Sequence, residues 1–440
     1  MMNILLVGSG AREHAVARAF SRSSHCSALF CLGTSVNPGI RQLCRDYEVG
    51  NISDSMIVLN FAKKSKVEMV FIGPEAPLAA GVADVLLKEG IPCVGPKQKH
   101  AQIESSKGFT RDLQIEYGIP GAPKFKRFNS IIGVREFLQE LGEDGYVVKA
   151  DGLAGGKGVQ VSGDHLKNFD EGLNYCQEII DSKNEFVIEE KFIGQEFSLM
   201  SFCDGVHLAH MPVVQDHKRA FDGDIGPNTG GMGAYSDTDH LLPFLTAGDI
   251  VSAQAINQAT ADALRAKFGD GYKGILYGGF MTTKDGVKLI EYNARLGDPE
   301  ALNVLAILKS DFVDLCEAII SENLSQSHAI FANQATVCKY AVPIGYPDNP
   351  IKNQLIDISK VPNIDHLYLG AVDETGAGLS ETGSRTAAIV GIADTIAEAE
   401  NIAEQQINFI AGPLFHRKDI GKRELIDRRI KMMRDLKKTS

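Results

Sequence analysis

Along the first hundred residues, short apolar runs alternate with amphipathic segments: NILLVG, then residues 11–21, ALFCLG, then 54–66, VEMVFIG, then 77–88, and IPCVG. Apolar runs of strand length separated by segments of helical period predict a doubly wound parallel sheet. Ligands bind such sheets beyond the carboxyl ends of the strands, which here are residues 8–13 and 73–77. Residues 97–118 read as one helix stopped at Gly118, with Pro120 and Pro123 as breakers.

Beyond that connector the period changes. A small unit carries the strand YVVKA, the turn DGLAGGKG, the strand VQVSG, a helix near 165–181 and the strand EFVIEEKF. Residues 194–320 mix strands (EFSLMSFC, GGFMTTK, VKLIEYNA) with helices over 248–267 and 300–320. After about 328, ATVCKYAVP and TAAIVGIA with helices near 394–408 and 421–437 predict a separate α+β unit. One stretch has neither period. Residues 215–236, QDHKRAFDGDIGPNTGGMGAYS, hold clustered charges and glycines and no apolar face, so they cannot build core and read as a ligand loop.

Three glycine motifs then need separating. Gly8-Ser9-Gly10 follows a strand and opens a helix, but the third fingerprint position is Glu13 and no acid closes the second strand near Leu32. That discounts NAD; backbone N–H groups at the helix start, with Arg12 beside them, suit a phosphate instead. The turn 151–158 lacks Walker spacing, since Lys157 is followed by Gly158. Lying between two strands, it reads as a flap over a triphosphate, with Lys149 directed at phosphate oxygens. In VKLIEYNAR, alternation puts Glu291 and Asn293 on one face, a carboxylate and an amide oxygen suited to Mg²⁺, and Arg295 continues that face toward Asp298 at a strand-to-helix junction. Glu189, Glu190 and the backbone of Lys191 and Phe192 form a strand end fit for an adenine edge, and Glu196 could take ribose hydroxyls.

Composition narrows the classes. At 440 residues the chain needs several structural units, and a net charge of −11 excludes a general nucleic-acid binder. Ten of the last 24 residues are Lys or Arg, read as a solvated terminal helix. Eight scattered cysteines without a CxxC pair point to reduced thiols, and no run reaches 18 apolar residues, so a cytoplasmic protein without a membrane partner is expected. No Ser-His-Asp or metal-spaced histidine arrangement stands out.

Taken in order, GSGAREHA, GPEAPLAAGV, SSKGFTRD, KADGLAGGKGV, the 215–236 loop, EYNARLGDPE and HRKDIGKR resemble an ATP-grasp ligase, and the loop narrows the likeness to the phosphoribosylamine-glycine ligase (glycinamide ribonucleotide synthetase) family. Ala294 and Leu296 stand where many members have Cys and Phe, and Gly155 where many have Ala. The resemblance implies an N-terminal domain over 1–103, a larger ATP-grasp subdomain over 104–122 and 193–327, a lid over 123–192 and a C-terminal α+β domain over 328–440. It implies ATP-driven joining of glycine to 5-phosphoribosylamine in purine biosynthesis, with Mg²⁺ or Mn²⁺, by a monomer or homodimer. Lys107, Lys149, Gly152, Gly155, Gly156, Lys157 and Gly158 would then hold ATP with the 189–196 residues. Gly8, Gly10, Arg12, Glu13, Glu75, Pro77, Asn228, Thr229, Gly230, Gly231, Met232 and Asp298 would line the substrates, and Arg295, Lys218 and Asp216 would serve catalysis.

Overall fold

The computed structural model describes residues 1–153 and 158–438. Its N-terminal sheet has five parallel strands in the order Asp46–Val49, Cys26–Gly33, Met2–Val7, Met69–Ile72, Cys93–Val94. The order reverses on either side of Met2–Val7, so the loops after Met2–Val7 and Met69–Ile72 face one crevice. The long helix expected over 97–118 is instead two, Gln98–Ser105 and Lys107–Glu116. Ser106 takes an extended conformation and its hydroxyl caps the second helix at Phe109. A serine competes for backbone hydrogen bonds and so breaks a helix where periodicity runs on.

Two further sheets frame the centre. One has four antiparallel strands, in the order Leu208–His210, Gly194–Asp204, Lys273–Thr283, Gly286–Asn293, and helix Ala247–Phe268 packs on it, capped by Thr246 and closed by left-handed Gly269. The other, in the order Phe125–Phe128, Phe186–Glu190, Tyr146–Ala150, Val159–Val161, packs helices Val134–Leu141 and Phe169–Asp181 around a core of its own. The helix expected over 300–320 is split into Glu300–Ala306 and Phe312–Ile320, because Asp311 caps a new start at Val313 and Asp314.

The 215–236 stretch is not irregular. It holds four short strands, Gln215–Asp216, Arg219–Phe221, Ile225–Asn228 and Gly233–Ser236. The middle two form a hairpin whose register is set by its turn, with positive φ at Gly223, Asp224 and Gly226, so side-chain alternation never announced it. The outer two extend the C-terminal sheet through pairing of Gly233–Ser236 with Ala335–Pro343. No described helix is long and apolar enough to cross a membrane.

Candidate active site

One acidic side chain packs between the two loops at the crevice beyond the N-terminal sheet. Glu13 is 2% exposed; its carboxylate accepts from the Gly10 N–H at 2.6 Å and from Arg12 Nε at 2.6 Å. A Cβ at Gly73 would sit 2.4 Å from Glu13 Oε1, and one at Gly8 2.8 Å from Glu13 Cγ. Those glycines therefore make room for Glu13, which stands where a dinucleotide fold would place its third glycine. Arg12 Nη1 continues to the Leu296 carbonyl at 3.1 Å, tying this loop to the far end of VKLIEYNAR. There Arg295 reaches Glu75 at 3.4 Å, Glu104 at 3.2 Å and the Asn293 amide oxygen at 3.0 Å. Burial would raise Glu75, but Arg295 and Arg12 outweigh it and hold the carboxyl below its ordinary value. Glu104, which also accepts the Ala294 N–H at 2.8 Å, is raised by its burial. Pro77 is buried in the short helix Glu75–Ala79.

A second cluster lies where strands Tyr146–Ala150 and Phe186–Glu190 meet strand Gly286–Asn293. Strand Gly286–Asn293 pairs Gly279 with Glu291 and Phe280 with Leu289, so Ile290 bulges out of the ladder. Its carbonyl, free of a strand partner, accepts from Lys149 Nζ at 3.0 Å and Arg111 Nη2 at 2.7 Å. Both cations also grip Glu189, Arg111 through paired bonds of 2.7 and 2.9 Å and Lys149 at 2.7 Å. Burial would raise Glu189; the two cations outweigh it and hold the carboxyl down at about 2. Lys149 is pulled below its ordinary value by burial.

Not every residue expected at an adenine edge is available for one. The Glu189 carboxylate is committed to that clamp, Glu190 accepts the Lys124 N–H at 2.9 Å, and the N–H groups of Glu190 and Lys191 bond to Lys124 and Gly145 carbonyls at 2.8 Å. Among the described residues, the Phe192 N–H has no bond. Lys107 donates from its amide to Asp151 at 2.6 Å and from its ammonium to the Gly152 carbonyl, while Ser106 holds the other Asp151 oxygen at 2.9 Å. Gly155, Gly156 and Lys157 lie outside the described residues, and Gly158, just before the returning strand Val159–Val161, accepts from the Ala150 N–H at 2.8 Å.

Glu291 joins the clusters. The bulge leaves Glu291 and Asn293 on one face, with Tyr292 buried on the other. Burial would raise Glu291, but Lys218, Lys149, Lys107 and Arg295 outweigh it and keep it ionised. Its carboxylate makes no hydrogen bond among the described residues. A hard-oxygen donor facing four cations, with a neighbouring amide oxygen, fits a divalent ion shared with phosphates. Glu291 lines one cavity with Glu196, Ser198, Asp216, Lys218 and Tyr277. Lys218 pairs with Glu196 at 3.2 Å, which raises its pKa.

The glycine-rich end of the loop is held from the C-terminal unit. Arg385 donates to the carbonyls of Gly230 and Asp298 at 2.7 Å each, and Tyr340 donates to the Asp298 carboxylate at 2.6 Å. Thr229 turns inward to the Lys218 carbonyl at 2.8 Å, Asn228 is exposed on the hairpin, and Met232 is fully buried in the core, so only its backbone can face a substrate. The hairpin itself rests on Arg417, 1% exposed, which binds the Arg219 carbonyl at 3.0 Å, Asp224 at 2.9 Å and Asp419 at 2.8 Å; Arg429 adds Asp224 at 3.0 Å. The basic C-terminus is thus partly a scaffold and not wholly a solvated helix. Arg417→Ala is expected to make residues 219–228 the first site cut in limited proteolysis, with kcat/KM down about tenfold.

Glu104, Arg111, Asp151, Glu300 and Arg385 are the participants that sequence reasoning passed over. Arg111, Asp151 and Glu300 sat inside quoted motifs, but their partners lie elsewhere along the chain.

Two four-stranded sheets, one with Phe186–Glu190 and Tyr146–Ala150 at its centre and the other ending at Gly286–Asn293, with lysines and carboxylates between them, define an ATP-grasp ligase. The chain belongs to the phosphoribosylglycinamide synthetase family, whose N domain matches residues 2–104, ATP-grasp (A) domain 105–301 and C domain 336–423. The phosphoribosylamine–glycine ligase of Methanosarcina acetivorans is 46% identical, over 99% of this chain and 98% of that protein, and that of Methanocaldococcus jannaschii 47% identical, over 99% and 100%. Among solved structures, the Thermotoga maritima phosphoribosylamine–glycine ligase superposes with a TM-score of 0.80 at 26% identity, covering 95% of this chain and 100% of that one. The biotin carboxylase domain of Hydrogenobacter thermophilus 2-oxoglutarate carboxylase shares the fold, with a TM-score of 0.73 at 14% identity over 99% and 94%.

Proposed function

We propose that this chain is a phosphoribosylamine–glycine ligase, joining glycine to 5-phosphoribosylamine with ATP converted to ADP and phosphate, a step of purine biosynthesis. The observation that carries the mechanism is the ring of Lys107, Lys149, Lys218 and Arg295 about Glu291, with an acceptor loop on its other side. A carboxylate is a poor electrophile, and its attack on the γ-phosphorus brings two anions together. Lys149, braced by Glu189 and the Ile290 carbonyl, and Lys107, whose backbone N–H is held by Asp151 and whose ammonium donates to the Gly152 carbonyl, offset that charge from fixed positions, so little reorganisation is needed in the transition state. A divalent ion, magnesium or manganese, held by Glu291 and Asn293 would neutralise phosphate oxygens.

Attack forms glycyl phosphate and releases ADP; the amine of phosphoribosylamine then attacks the carbonyl carbon and phosphate departs. Arg295, fixed by Glu75 and Glu104, is placed to stabilise the acyl phosphate. The loop at 8–13, with Glu75, faces the phosphoribosylamine side; since Glu13 already occupies the Gly10 amide, the phosphate depends on the remaining helix-start amides and Arg12. Adenine falls to the backbone near Phe192 and ribose to Glu196, and the 123–192 unit acts as a lid that excludes water from the acyl phosphate. The test is phosphate release from ATP with phosphoribosylamine generated in place. Release is expected only with glycine and phosphoribosylamine together; equal release without glycine would reject the assignment.

A further inference from the structure

The second half of the ligation has a proton to move. When the amine of phosphoribosylamine attacks the acyl carbon, a C–N bond forms, the C–O bond to phosphate breaks, and the nitrogen has to lose a proton for the amide to persist. Protonated lysines and arginines stabilise the departing phosphate, but none of them can accept that proton.

Four carboxylates stand where the 8–13 and 73–77 loops meet the far end of strand Gly286–Asn293, and three are already engaged. The Glu13 side chain is 3% exposed and tied to the Gly10 N–H and to Arg12, each at 2.6 Å. Glu104, 8% exposed, holds the Ala294 N–H at 2.8 Å with one oxygen and Arg295 at 3.2 Å with the other. Asp298, 16% exposed, accepts from Tyr340 at 2.6 Å and faces Arg385 at 3.3 Å. Glu75 differs. Its side chain is 36% exposed, and both its ion pairs run through one oxygen, Oε2, to Arg295 Nε at 3.4 Å and Arg12 Nη2 at 4.0 Å.

Those two arginines mark the two reactants. Arg12 belongs to the loop that faces phosphoribosylamine and Arg295 to the strand end placed to stabilise the acyl phosphate, so a carboxylate paired with both lies where amine and acyl carbon meet. The fold fixes it there: Glu75 opens the short helix Glu75–Ala79 just beyond strand Met69–Ile72, at the crevice where the strand order reverses. Burial would raise its carboxyl, but Arg295 and Arg12 hold it down, so it is ionised near neutral pH and free to take up a proton.

Building on the ligase reading, we propose that Glu75 is the general base of the second step. Its carboxylate takes the proton from the attacking amine as the C–N bond forms; phosphate leaves with the electrons of the C–O bond, and the proton passes from Glu75 to solvent across the exposed face of the side chain.

The experiment follows ADP and ligated product by quench-flow in the full chain, for wild type, Glu75→Gln and Glu75→Asp, with phosphoribosylamine generated in place. Glutamine keeps an oxygen toward both arginines but cannot take up a proton. E75Q is expected to slow ligation roughly 100-fold or more, with the KM for phosphoribosylamine within about threefold. ADP should still form in the first turnover within about fivefold of the wild-type rate, so product lags behind ADP. E75D, which keeps the base one methylene further back, should recover about tenfold over E75Q. Ligation by E75Q within about fivefold of wild type overturns the assignment, as does a raised phosphoribosylamine KM at unchanged kcat, which would mark a binding residue. ADP and product slowing in step also overturn it, since Glu75 would then act only by holding Arg295 for the first step. Should E75Q fail to fold, E75D decides by the same comparison, with product expected to slow about tenfold behind an unchanged ADP rate. A wild-type protein without glycine-dependent phosphate release would instead overturn the ligase reading itself.

Discussion

Glu291→Ala is expected to lower kcat by roughly three orders of magnitude while leaving the fold intact. The carboxylate makes no hydrogen bond among the described residues, so its removal breaks no hydrogen-bond network; it deletes an anion that Lys218, Lys149, Lys107 and Arg295 all face. A metal-dependent loss of turnover with an unchanged melting temperature is the signature, read by phosphate release and calorimetry on one preparation. Arg295→Ala makes a less clean test. It leaves Glu75 and Glu104 without their shared cation, so lost activity would be mixed with lost stability.

Glu189→Gln is expected to act in the opposite way, on stability first. The substitution leaves Arg111 and Lys149 buried around a neutral amide, at a cost of about 3–5 kcal/mol. For a unit of about 150–250 residues that corresponds to a fall in Tm of roughly 6–20 °C, measurable by calorimetry. The pH dependence follows with a definite sign. Glu189 is held down at about 2 in the folded protein, below the unfolded value, so its contribution is complete above the ordinary glutamate range and is lost as pH falls toward about 2. Between those limits the wild-type Tm should drop more steeply than that of E189Q. Equal slopes would show that the clamp does not hold strand Phe186–Glu190 to the rest of the protein.

The two variants separate what the sequence displays from what it hides. Glu291 and Asn293 were legible because strand alternation puts them on one face, and Lys149 because it precedes a glycine turn between strands. The bulge at Ile290 was not, since it depends on the register against Gly279 and Phe280, and with it went the carbonyl that aims Lys149. Arg111 looked like an ordinary helical residue until its partners, 78 and 179 residues away, were folded onto it. Glu13 was visible as a departure from a dinucleotide fingerprint, but that Gly8 and Gly73 exist to admit it is a fact of three dimensions. The stretch at 215–236 stood out in the sequence by its charge and glycines. Its strands escaped notice because left-handed turn residues and the distant Arg417 set them, not periodicity.

The central claim is that the glycine carboxylate is phosphorylated before it meets the amine, and the path of an oxygen atom tests it. With glycine labelled by ¹⁸O in both carboxyl oxygens, the account predicts one ¹⁸O in each phosphate released during ligation, because the oxygen that attacks the γ-phosphorus stays with it when the amine displaces phosphate. Phosphate free of label, with product formed at the normal rate, would contradict it.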